Sequence, residues 1–570
     1  GGKTSSSNAW FKKIIEILNT KEKIIREILS SNFPEIDINK SIYKLKDYFN
    51  KDILSNQEKE VLFFDIKLFY SLLVLSDYYA TYSFQFNRNV EELEINQIDN
   101  KLLIKMDDNF HKISYNSHLQ QINDLTVKKL SECNNVNDLR NNLIIQATQT
   151  LNDELRQNKK IFMLNVPTGG GKTNISLKLS LEILKQDKSI NRLNWVFPYV
   201  NIIEQNYKVI RKAFLDIDLD IDEEDKLNKI IAKIHYDTLN LSKEELIDYD
   251  HNFNEIIETD LNISYVNNPI NIISNVNFFD ALFKVKRNNR YKFANFINSV
   301  VIIDEIQTLN PDYMNIFYRI LDGVSKNYNI YFIIMSATLP NLNDYTNKDF
   351  ASELIQNHRE YFNHDVFKRN DFVFVVGTFD ITSLMKYFQE KIITIHQEEN
   401  KFLIVVNTIK SSIEIFKQLN YSQLNQKFKI FLLNSYVSGK DRNNIIKYIK
   451  NSQNDKIILV STQSIEAGVD LDFDIGLRDK ATLDSIEQVA GRINRECNLS
   501  KNKVSKLYIF DLNNESRIYR NDLRFKLLSD INIDEQKDIL NNKRFEFYYK
   551  KYIDKVKNIF SSAKRCDYII

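Results

Sequence analysis

The sequence predicts an α/β protein in which two parallel-sheet domains follow one another, with an all-helical region before them and a helical extension after them. Two observations support this fold class. Short, nearly all-apolar runs that end in small or polar residues recur in two series, and such runs are typical of strands buried on both faces of a parallel sheet with helices between them. In the flanking regions, apolar residues recur at steps of three and four, which is typical of amphipathic helices.

The two series of apolar runs set the predicted domain boundaries. The first holds "IFMLNVP", "NWVFP", "INIIS", "VVIIDE" and "IYFIIMSAT", and the second holds "DFVFVVGT", "FLIVVNT", "FKIFLLNS", "KIILVST" and "LYIFDL". A polar stretch over 341–370 separates them. We therefore expect a helical region over 1–125, a first sheet domain over 126–365, a second over 366–515 and a helical segment over 516–570.

Composition and charge narrow the class of protein. A chain of 570 residues is too long for a single core, and its net charge of +1 gives no basic surface coat, so contact with nucleic acid must rely on a local groove. Charges interrupt the longest apolar runs, which argues against a membrane span. The three cysteines lie far apart and favour neither a disulfide framework nor a zinc site, so we expect a reducing cytoplasm.

A phosphate-binding loop is predicted in "NVPTGGGKTNIS", between an apolar strand and an amphipathic helix. Glycines let backbone N–H groups face a β-phosphate, and the start of the helix adds the positive end of a dipole. Lys172 is expected to reach the β- and γ-phosphates and Thr173 to bind Mg²⁺, although Val166 stands where the usual pattern begins with glycine. The alternative is a glycine-rich turn without a ligand. The nucleotide-binding residues predicted in the loop are Thr168, Gly169, Gly170, Gly171, Lys172 and Thr173.

Two carboxylates end the apolar run "VVIIDE". Asp304 is predicted to hold Mg²⁺ and Glu305 to orient the attacking water, as in other NTPases with a phosphate loop. Two acids at the tip of a buried strand are costly unless a metal or a base faces them. The alternative is a capped strand end, which is disfavoured because the phosphate loop is present.

The second series carries a group of polar residues in "SIEQVAGRINRECN". Gln488, Arg492 and Arg495 are separated by steps of four and three, which predicts that they share one helix face. Guanidinium groups delivered to a γ-phosphate raise the rate of hydrolysis by about 10³–10⁵. The alternative is an exposed helix face that carries two arginines without a catalytic role.

Four motifs occur in an order that resembles superfamily 2 helicases: "PTGGGKT", "DEIQ", "SAT" and "QVAGRINR", within Arg140 to Leu512. The resemblance implies two RecA-like domains that hold ATP and Mg²⁺ between them, with arginine fingers from the second. It further implies that Ser336 and Thr338 couple the nucleotide site to the nucleic-acid site. Gly468 and Asp470, in "IEAGVDLDFD", are the nucleotide-binding residues that it adds in the second domain.

Companion segments are similar to those of the CRISPR-associated helicase–nuclease of type I interference systems. They are "FPYVNIIEQN", "NPINIISNVNFFDALF", "FLIVVNTIKSS" and "LLNSYVSGKDR". That resemblance implies a prokaryotic defence protein that pulls single-stranded DNA 3′ to 5′ after recruitment to a Cascade-like surveillance complex with an open R-loop. The chain departs from the family at Ser274, Asn277 and Asn434, where members often have Thr, Gln and His.

Contact with the DNA strand is expected from small hydroxyls and backbone groups that touch phosphates and position the strand without reading its sequence. The residues that match the corresponding helicase motifs are Pro198, Tyr199 and Ser274 in the first domain and Thr408 and Thr462 in the second.

The resemblance also implies a nuclease domain whose His and Asp ligands hold divalent transition metals. In "LFYSLLVLSDYYAT" Asp77 matches the last acid of such a site, with a solvent-facing helix acid as the alternative. We expect that the chain is a fragment, since it opens on Gly1 without Met and carries no His-Asp pair before residue 125. One carboxylate cannot hold a catalytic metal, so we expect no nuclease activity from this chain alone, and we expect the chain to be a monomer.

Three alternatives to this interpretation remain. An RNA helicase of the same superfamily would have an ATPase that responds to RNA. A signalling switch would hydrolyse ATP without any response to a polynucleotide. A stand-alone helicase subunit would work with a separately encoded nuclease.

Overall fold

The computed structural model describes residues 56–86, 97–215, 230–234, 266–284, 292–308, 311–346, 349–452, 454–466, 469–495, 504–512, 518–519 and 522–562. The chain divides into two compact units, one formed by Tyr70–Asp554 and the other by Gly1–Phe69 with Lys555–Ile570. Both sheets described below lie within Tyr70–Asp554. Residues 1–55 and 87–96 of the predicted N-terminal helical region lie outside the described residues.

The first sheet contains seven described strands in the order β3-β4-β2-β5-β6-β1-β7, and every pairing is parallel. Apolar and β-branched residues fill its central strands, which are buried along their length. Their bounds are β1 Ile161–Asn165, β2 Arg192–Phe197, β3 Ile231–Ile234, β4 Ile270–Ser274, β5 Ser299–Asp304, β6 Ile330–Ser336 and β7 Ser352–Glu353.

Of the helices up to the end of the first sheet domain, three precede β1 and the others lie between or after its strands. They are α1 Asn56–Phe86, α2 Asn100–Lys112, α3 Val136–Arg156, α4 Lys172–Gln186, α5 Val200–Leu215, α6 Asn275–Phe283, α7 Pro311–Asn327, α8 Asn343–Thr346 and α9 His358–Phe362. Phe110 of α2 is buried in the same core as Trp195 of β2 and Phe214 of α5. Helix α2, which precedes the predicted start of the first sheet domain at residue 126, therefore packs against that domain.

The second sheet contains six described strands in the order β10-β11-β9-β12-β13-β8, again with parallel pairing throughout. The strands are β8 Asn370–Thr378, β9 Lys401–Val405, β10 Lys429–Leu433, β11 Ile457–Ser461, β12 Ile475–Asp479 and β13 Ser505–Asp511. Strand β12 was not predicted, because its sequence "IGLRD" ends in two charged residues that are buried here.

The helices of the second sheet domain and the C-terminal segment complete the described chain. They are α10 Ile381–Tyr387, α11 Ile393–Ile395, α12 Ile409–Tyr421, α13 Gly439–Asn451, α14 Leu483–Ala490, α15 Leu523–Lys526, α16 Ile533–Asn541 and α17 Phe545–Ser562. The predicted fold class is confirmed: two parallel-sheet domains occur in tandem, and helices follow them. Among the described residues, no helix combines the length and apolar character that crossing a bilayer requires.

Candidate nucleotide site

The predicted phosphate loop connects the end of β1 to the first residue of α4. Gly169 and Gly171 have φ angles of 84° and 89°, in the left-handed region that favours glycine. Gly170 is tightly packed, since a Cβ on this residue would lie 2.5 Å from Cγ1 of Val166. Each of the three glycines is therefore required, either by its backbone conformation or by the lack of space for a side chain. Val166, which replaces the usual first glycine, packs beneath the loop.

Lys172 begins α4 and points at the carboxylates of Asp304, which ends β5, and of Glu305, which follows it. Its Nζ donates a hydrogen bond to Oε1 of Glu305 and lies 3.7 Å from Oδ1 of Asp304. All three side chains are largely buried, with exposed fractions of 15%, 18% and 13% for Lys172, Glu305 and Asp304. Burial opposes the charge on Lys172, but the two carboxylates outweigh it and raise its pKa. The lysine is thus held as a cation at the mouth of the loop.

Glu305 has its backbone in the left-handed region, with φ 52°, and its side chain is held by several donors. Its Oε2 accepts hydrogen bonds from Nε2 of Gln307 at 2.5 Å and from Oγ of Ser336 at 3.0 Å. Burial opposes ionisation, but Lys172 and these donors lower the pKa of Glu305 below its usual value. The carboxylate is therefore ionised and its orientation is fixed.

Asp304 lies beside Glu305 but in a different environment. Burial raises the pKa of Asp304 to about 7, against the opposing effect of Lys172. Its buried Oδ1 accepts no hydrogen bond in the described part of the chain. A buried carboxylate oxygen without a donor fits a hard cation, which prefers oxygen ligands. The hydroxyl of Thr173, in the first turn of α4, is a second oxygen for such an ion, and here it donates to Oδ1 of Asn206 at 3.1 Å.

The arginines of the second domain do not share a helix face with Gln488, and that prediction is wrong. Helix α14 ends at Ala490, so Gln488 is helical while Arg492 and Arg495 lie in the turn that follows. A positive φ of 50° at Asn494 and a bridge between Phe473 and Ile493 shape this turn. The four- and three-residue spacing was compatible with a helix, but these contacts end it first.

Backbone carbonyls hold Arg492. Its Nε donates to the carbonyl of Ile465 at 3.1 Å and its Nη2 to the carbonyl of Glu466 at 2.8 Å. Burial, together with the charge of Arg495, lowers the pKa of Arg492 to about 9. Two neighbouring cations with mainly carbonyl partners make this turn a favourable position for an anion.

Arg495 lies nearer the surface, with 27% of its side chain exposed. Its Nη1 donates to the carbonyl of Val469 at 3.4 Å, and its Nη2 lies 3.5 Å from Oδ1 of Asp470. Asp470, predicted to bind nucleotide, also accepts a hydrogen bond from Lys450. Gly468, predicted beside it, lies outside the described residues.

The two sheet domains meet at the phosphate loop. Arg369, just before β8, donates to the carbonyl of Thr168 in the loop and to the carbonyl of Arg495, each at 2.9 Å. At Gly491, a Cβ would lie 3.0 Å from Cγ2 of Thr168. The charge of Arg492 in the other domain opposes the rise in the pKa of Lys172, so the two cations interact across the domain boundary. The structure thus brings the loop, the carboxylates and the arginine turn together.

The predicted coupling residues lie at the end of β6 and just after it. Ser336 ends the strand, accepts a hydrogen bond at its Oγ from the backbone N–H of Thr338 at 3.0 Å, and donates to Glu305. Both side chains are buried. The segment that contains Ser336 and Thr338 is therefore joined to Glu305 by a direct hydrogen bond.

The residues predicted to contact DNA lie at or just beyond the carboxyl ends of strands. Pro198 and Tyr199 follow β2, and Tyr199 is 41% exposed. Ser274 ends β4 and caps α6, Thr408 follows β9 and caps α12, and Thr462 follows β11. In each sheet these positions share the edge that carries the nucleotide-site residues, since carboxyl ends of parallel strands lie on one side. Their contact with DNA stays a prediction.

Asp77 is exposed on α1, where its carbonyl accepts a hydrogen bond from Thr81 Oγ1 at 2.8 Å. Across the described ranges, no group of three or more His, Cys, Asp or Glu residues is arranged to hold a metal ion. The role of Asp77 as a nuclease ligand stays a prediction.

Several site residues were not predicted. Arg140 donates from Nε to the carbonyl of Gly169 at 2.8 Å, and Arg369 bridges the domains. Gln307 and Asn206 lie within quoted motifs but had no assigned role. Arg524 donates to the carbonyl of Gln307 at 2.7 Å from more than two hundred residues away. Sequence position gave a signal only for Gln307 and Asn206, because the arginines act through contacts between distant segments.

Comparisons with known proteins agree with this geometry. Residues 145–345 match the family described as DEAD/DEAH box helicase, and residues 398–498 match that described as CRISPR-associated nuclease/helicase Cas3, C-terminal. The CRISPR-associated nuclease/helicase Cas3 of Streptococcus thermophilus is 24% identical over 491 residues, which is 74% of this chain and 52% of that protein. That of Methanothermobacter thermautotrophicus is 28% identical over 249 residues, 39% of this chain and 26% of that protein. The chain therefore spans about half, or less, of the length of these relatives.

Solved structures share the fold. The crystal structure of T. fusca Cas3 has a TM-score of 0.54 at 15% identity, covering 74% of this chain and 54% of that chain. Its ATP complex has a TM-score of 0.52 at 15% identity, covering 73% and 54%.

Two parallel-sheet domains that join a phosphate loop to an arginine turn define the class of ATP-dependent superfamily 2 helicases, and the matched segment 145–345 agrees. Within that class, the matched segment 398–498 and the relatives narrow the similarity to one family. The chain is similar to Cas3-type helicases.

Proposed function

We propose that this chain hydrolyses ATP to move along single-stranded DNA in the 3′-to-5′ direction. The observation that carries the proposal is that Arg369 joins the loop of Lys172 in one sheet domain to the turn of Arg492 and Arg495 in the other. Because the groups that hold one nucleotide come from two domains, binding and hydrolysis change how tightly the domains associate. We take the domains to be 126–365 and 366–515, between helical segments over 1–125 and 516–570.

In the ATPase cycle, Lys172 leaves Glu305 and binds the β- and γ-phosphates, together with the backbone N–H groups of the glycine loop. Release of the lysine frees Glu305, already oriented by Gln307 and Ser336, to align a water molecule. Arg492 and Arg495 face the charge that develops on the γ-phosphate.

Mg²⁺ fits Asp304 and Thr173, and when bound it neutralises phosphate charge. Thr168, Gly468 and Asp470 complete the nucleotide contacts in this proposal, with Gln488 beside the arginine turn. Ser336 and Thr338 transmit the state of Glu305 along the segment after β6.

We infer the substrate and the partners of this chain from its similarity to these relatives. Pro198, Tyr199, Ser274, Thr408 and Thr462 hold DNA phosphates in turn as the domains close and open. The relatives are named CRISPR-associated nuclease/helicase, which supports a role in type I interference on R-loop DNA exposed by a Cascade-like complex. The helicase acts with a nuclease domain or subunit.

A strand-displacement assay tests the proposal. The full chain is given ATP and duplexes with a 3′ or a 5′ single-stranded tail, with DNA or RNA as the tailed strand, and Lys172→Ala serves as the inactive control. Displacement of 3′-tailed DNA that requires ATP supports the proposal. Displacement from 5′ tails only contradicts the polarity, and displacement of RNA but not DNA identifies an RNA helicase.

A further inference from the structure

Arg524 is a largely buried arginine that contacts both sheet domains from the C-terminal segment. It belongs to the short helix α15, and only 11% of its side chain is exposed. Asp522, two residues earlier, accepts hydrogen bonds from its Nε at 3.1 Å and its Nη2 at 2.8 Å. The hydroxyl of the buried Tyr548 donates to the Arg524 carbonyl at 3.0 Å. Side chain and backbone are both fixed.

The first contact of Arg524 lies in the first sheet domain. Its Nη1 donates to the carbonyl of Gln307 at 2.7 Å, and Nε2 of Gln307 donates to Oε2 of Glu305 at 2.5 Å. A single residue therefore separates the guanidinium from the carboxylate that aligns water in the proposed mechanism. Movement of Arg524 relative to the first domain displaces Gln307 and changes the orientation of Glu305.

The second contact of Arg524 lies in the second sheet domain. The same Nη1 lies 3.2 Å from Oδ2 of Asp484, which is 9% exposed and belongs to α14. That helix carries Gln488 and leads into the turn that holds Arg492. Arg524 thus joins the segment that orients Glu305 to the helix that delivers the arginine turn.

We propose that Arg524 is a positioning residue: it holds Glu305 in its reactive orientation, through Gln307, only while α14 is docked against the first domain. This inference rests on the proposed ATPase function. Closure of the second domain thereby fixes the orientation of Glu305, in addition to bringing Arg492 to the nucleotide. The chemistry requires arginine, because its planar fork serves Gln307, Asp484 and Asp522 together, whereas the single ammonium of a lysine cannot.

Steady-state ATP hydrolysis with single-stranded DNA present separates positioning from binding. We expect Arg524→Gln and Arg524→Lys to lower kcat by about 10- to 100-fold, because a small misplacement of a reacting group costs up to about 10²-fold. The KM for ATP and the Kd of a fluorescent ATP analogue should change less than about threefold, because the interactions that bind ATP in its ground state are not altered. Arg544→Gln is the matched control: this arginine, in the same segment, pairs with Asp538 at 3.0 Å and is 53% exposed.

A double-mutant cycle tests the route through Gln307. In a Gln307→Ala background the link to Glu305 is already cut, so Arg524→Gln should lower kcat little further. Additive losses in kcat, or an unchanged kcat in Arg524→Lys with a wild-type melting temperature, overturn the proposal. If the wild-type chain hydrolyses no ATP, the proposed function has failed, a result distinct from active wild type with unaffected Arg524 variants.

Discussion

The two sheet domains contribute to the nucleotide site in different ways. The first holds its charged groups against one another: Lys172 contacts Glu305 directly and lies 3.7 Å from Asp304. The second holds Arg492 by the carbonyls of Ile465 and Glu466 instead. The first half is therefore a compensated cluster that must rearrange when phosphate arrives, whereas the second is an electropositive turn that gains a partner from the phosphate. This difference predicts distinct defects for the two halves.

The largest effect is expected in the first half. Lys172→Ala removes the cation that binds phosphate and leaves two buried carboxylates without their lysine, so nucleotide binding and hydrolysis should both be lost. We expect a rate reduced by more than about 10³-fold in a phosphate-release assay. Lys326→Ala is the control, since this lysine is 66% exposed and pairs with Asp322 on α7. Activity of Lys172→Ala near that of the control would contradict the assignment of the loop.

A defect in turnover alone is expected in the second half. Arg495→Ala should lower kcat by about 10³-fold while the Kd for an ATP analogue is nearly unchanged, because the guanidinium acts on charge that develops during the reaction. Arg492→Ala should also lower the melting temperature, since Arg492 is buried and holds two carbonyls. Equal losses of binding and turnover in Arg495→Ala would mean that the two halves do not differ as proposed.

A smaller effect tests the shape of the loop. Gly170→Ala places a methyl group 2.5 Å from Cγ1 of Val166 and 3.0 Å from the carbonyl of Pro167. Overpacking of this kind costs about 1–3 kcal/mol, so nucleotide binding should weaken by roughly tenfold or more in a titration. Gly323→Ala, in α7 with open space around the added atom, is the control and should stabilise its helix by about 0.5–1 kcal/mol. Identical binding by both variants would contradict the packing account.

The smallest effect concerns the contact between α17 and the first domain. Glu546 accepts a hydrogen bond from Nε2 of His358 at 2.7 Å and also pairs with Arg359, and His358 lies 3.8 Å from Glu353. The His358 hydrogen bond is the main reason that the pKa of Glu546 falls to about 2. Although burial opposes its charge, Glu546 and Glu353 raise the pKa of His358 above 6.5.

The sign of the pH dependence follows from these two shifts. The contribution of Glu546 is complete above pH 4.5 and is lost as pH falls through about 2. That of His358 is complete below pH 6.5 and is lost as pH rises through its raised pKa. Glu546→Gln should therefore destabilise the protein by about 1 kcal/mol more at pH 6 than at pH 9 in thermal unfolding. The exposed Glu360→Gln is the control, and an equal loss at both pH values would contradict the role of His358.

The first half of the site could be predicted from sequence because its geometry is local. A strand, a glycine turn and a helix succeed one another within a few residues, so Lys172 follows from the pattern. The arginine turn was harder: the spacing of Gln488, Arg492 and Arg495 fits a helix, but the bridge between Phe473 and Ile493 ends it.

Long-range contacts of charged residues could not be predicted from the sequence. Arg478 in β12 is completely buried because Asn407, Glu466 and Ser485 accept its hydrogen bonds, and no local pattern reveals those partners. Arg524 is the same case, since its partners lie in both sheet domains.

Steady-state ATP hydrolysis by the full chain, alone and with single-stranded DNA, single-stranded RNA or duplex DNA, tests the central claim most directly. We expect slow hydrolysis by the protein alone and strong stimulation by single-stranded DNA only. Stimulation by RNA but not by DNA, or a rate indifferent to every polynucleotide, would contradict it.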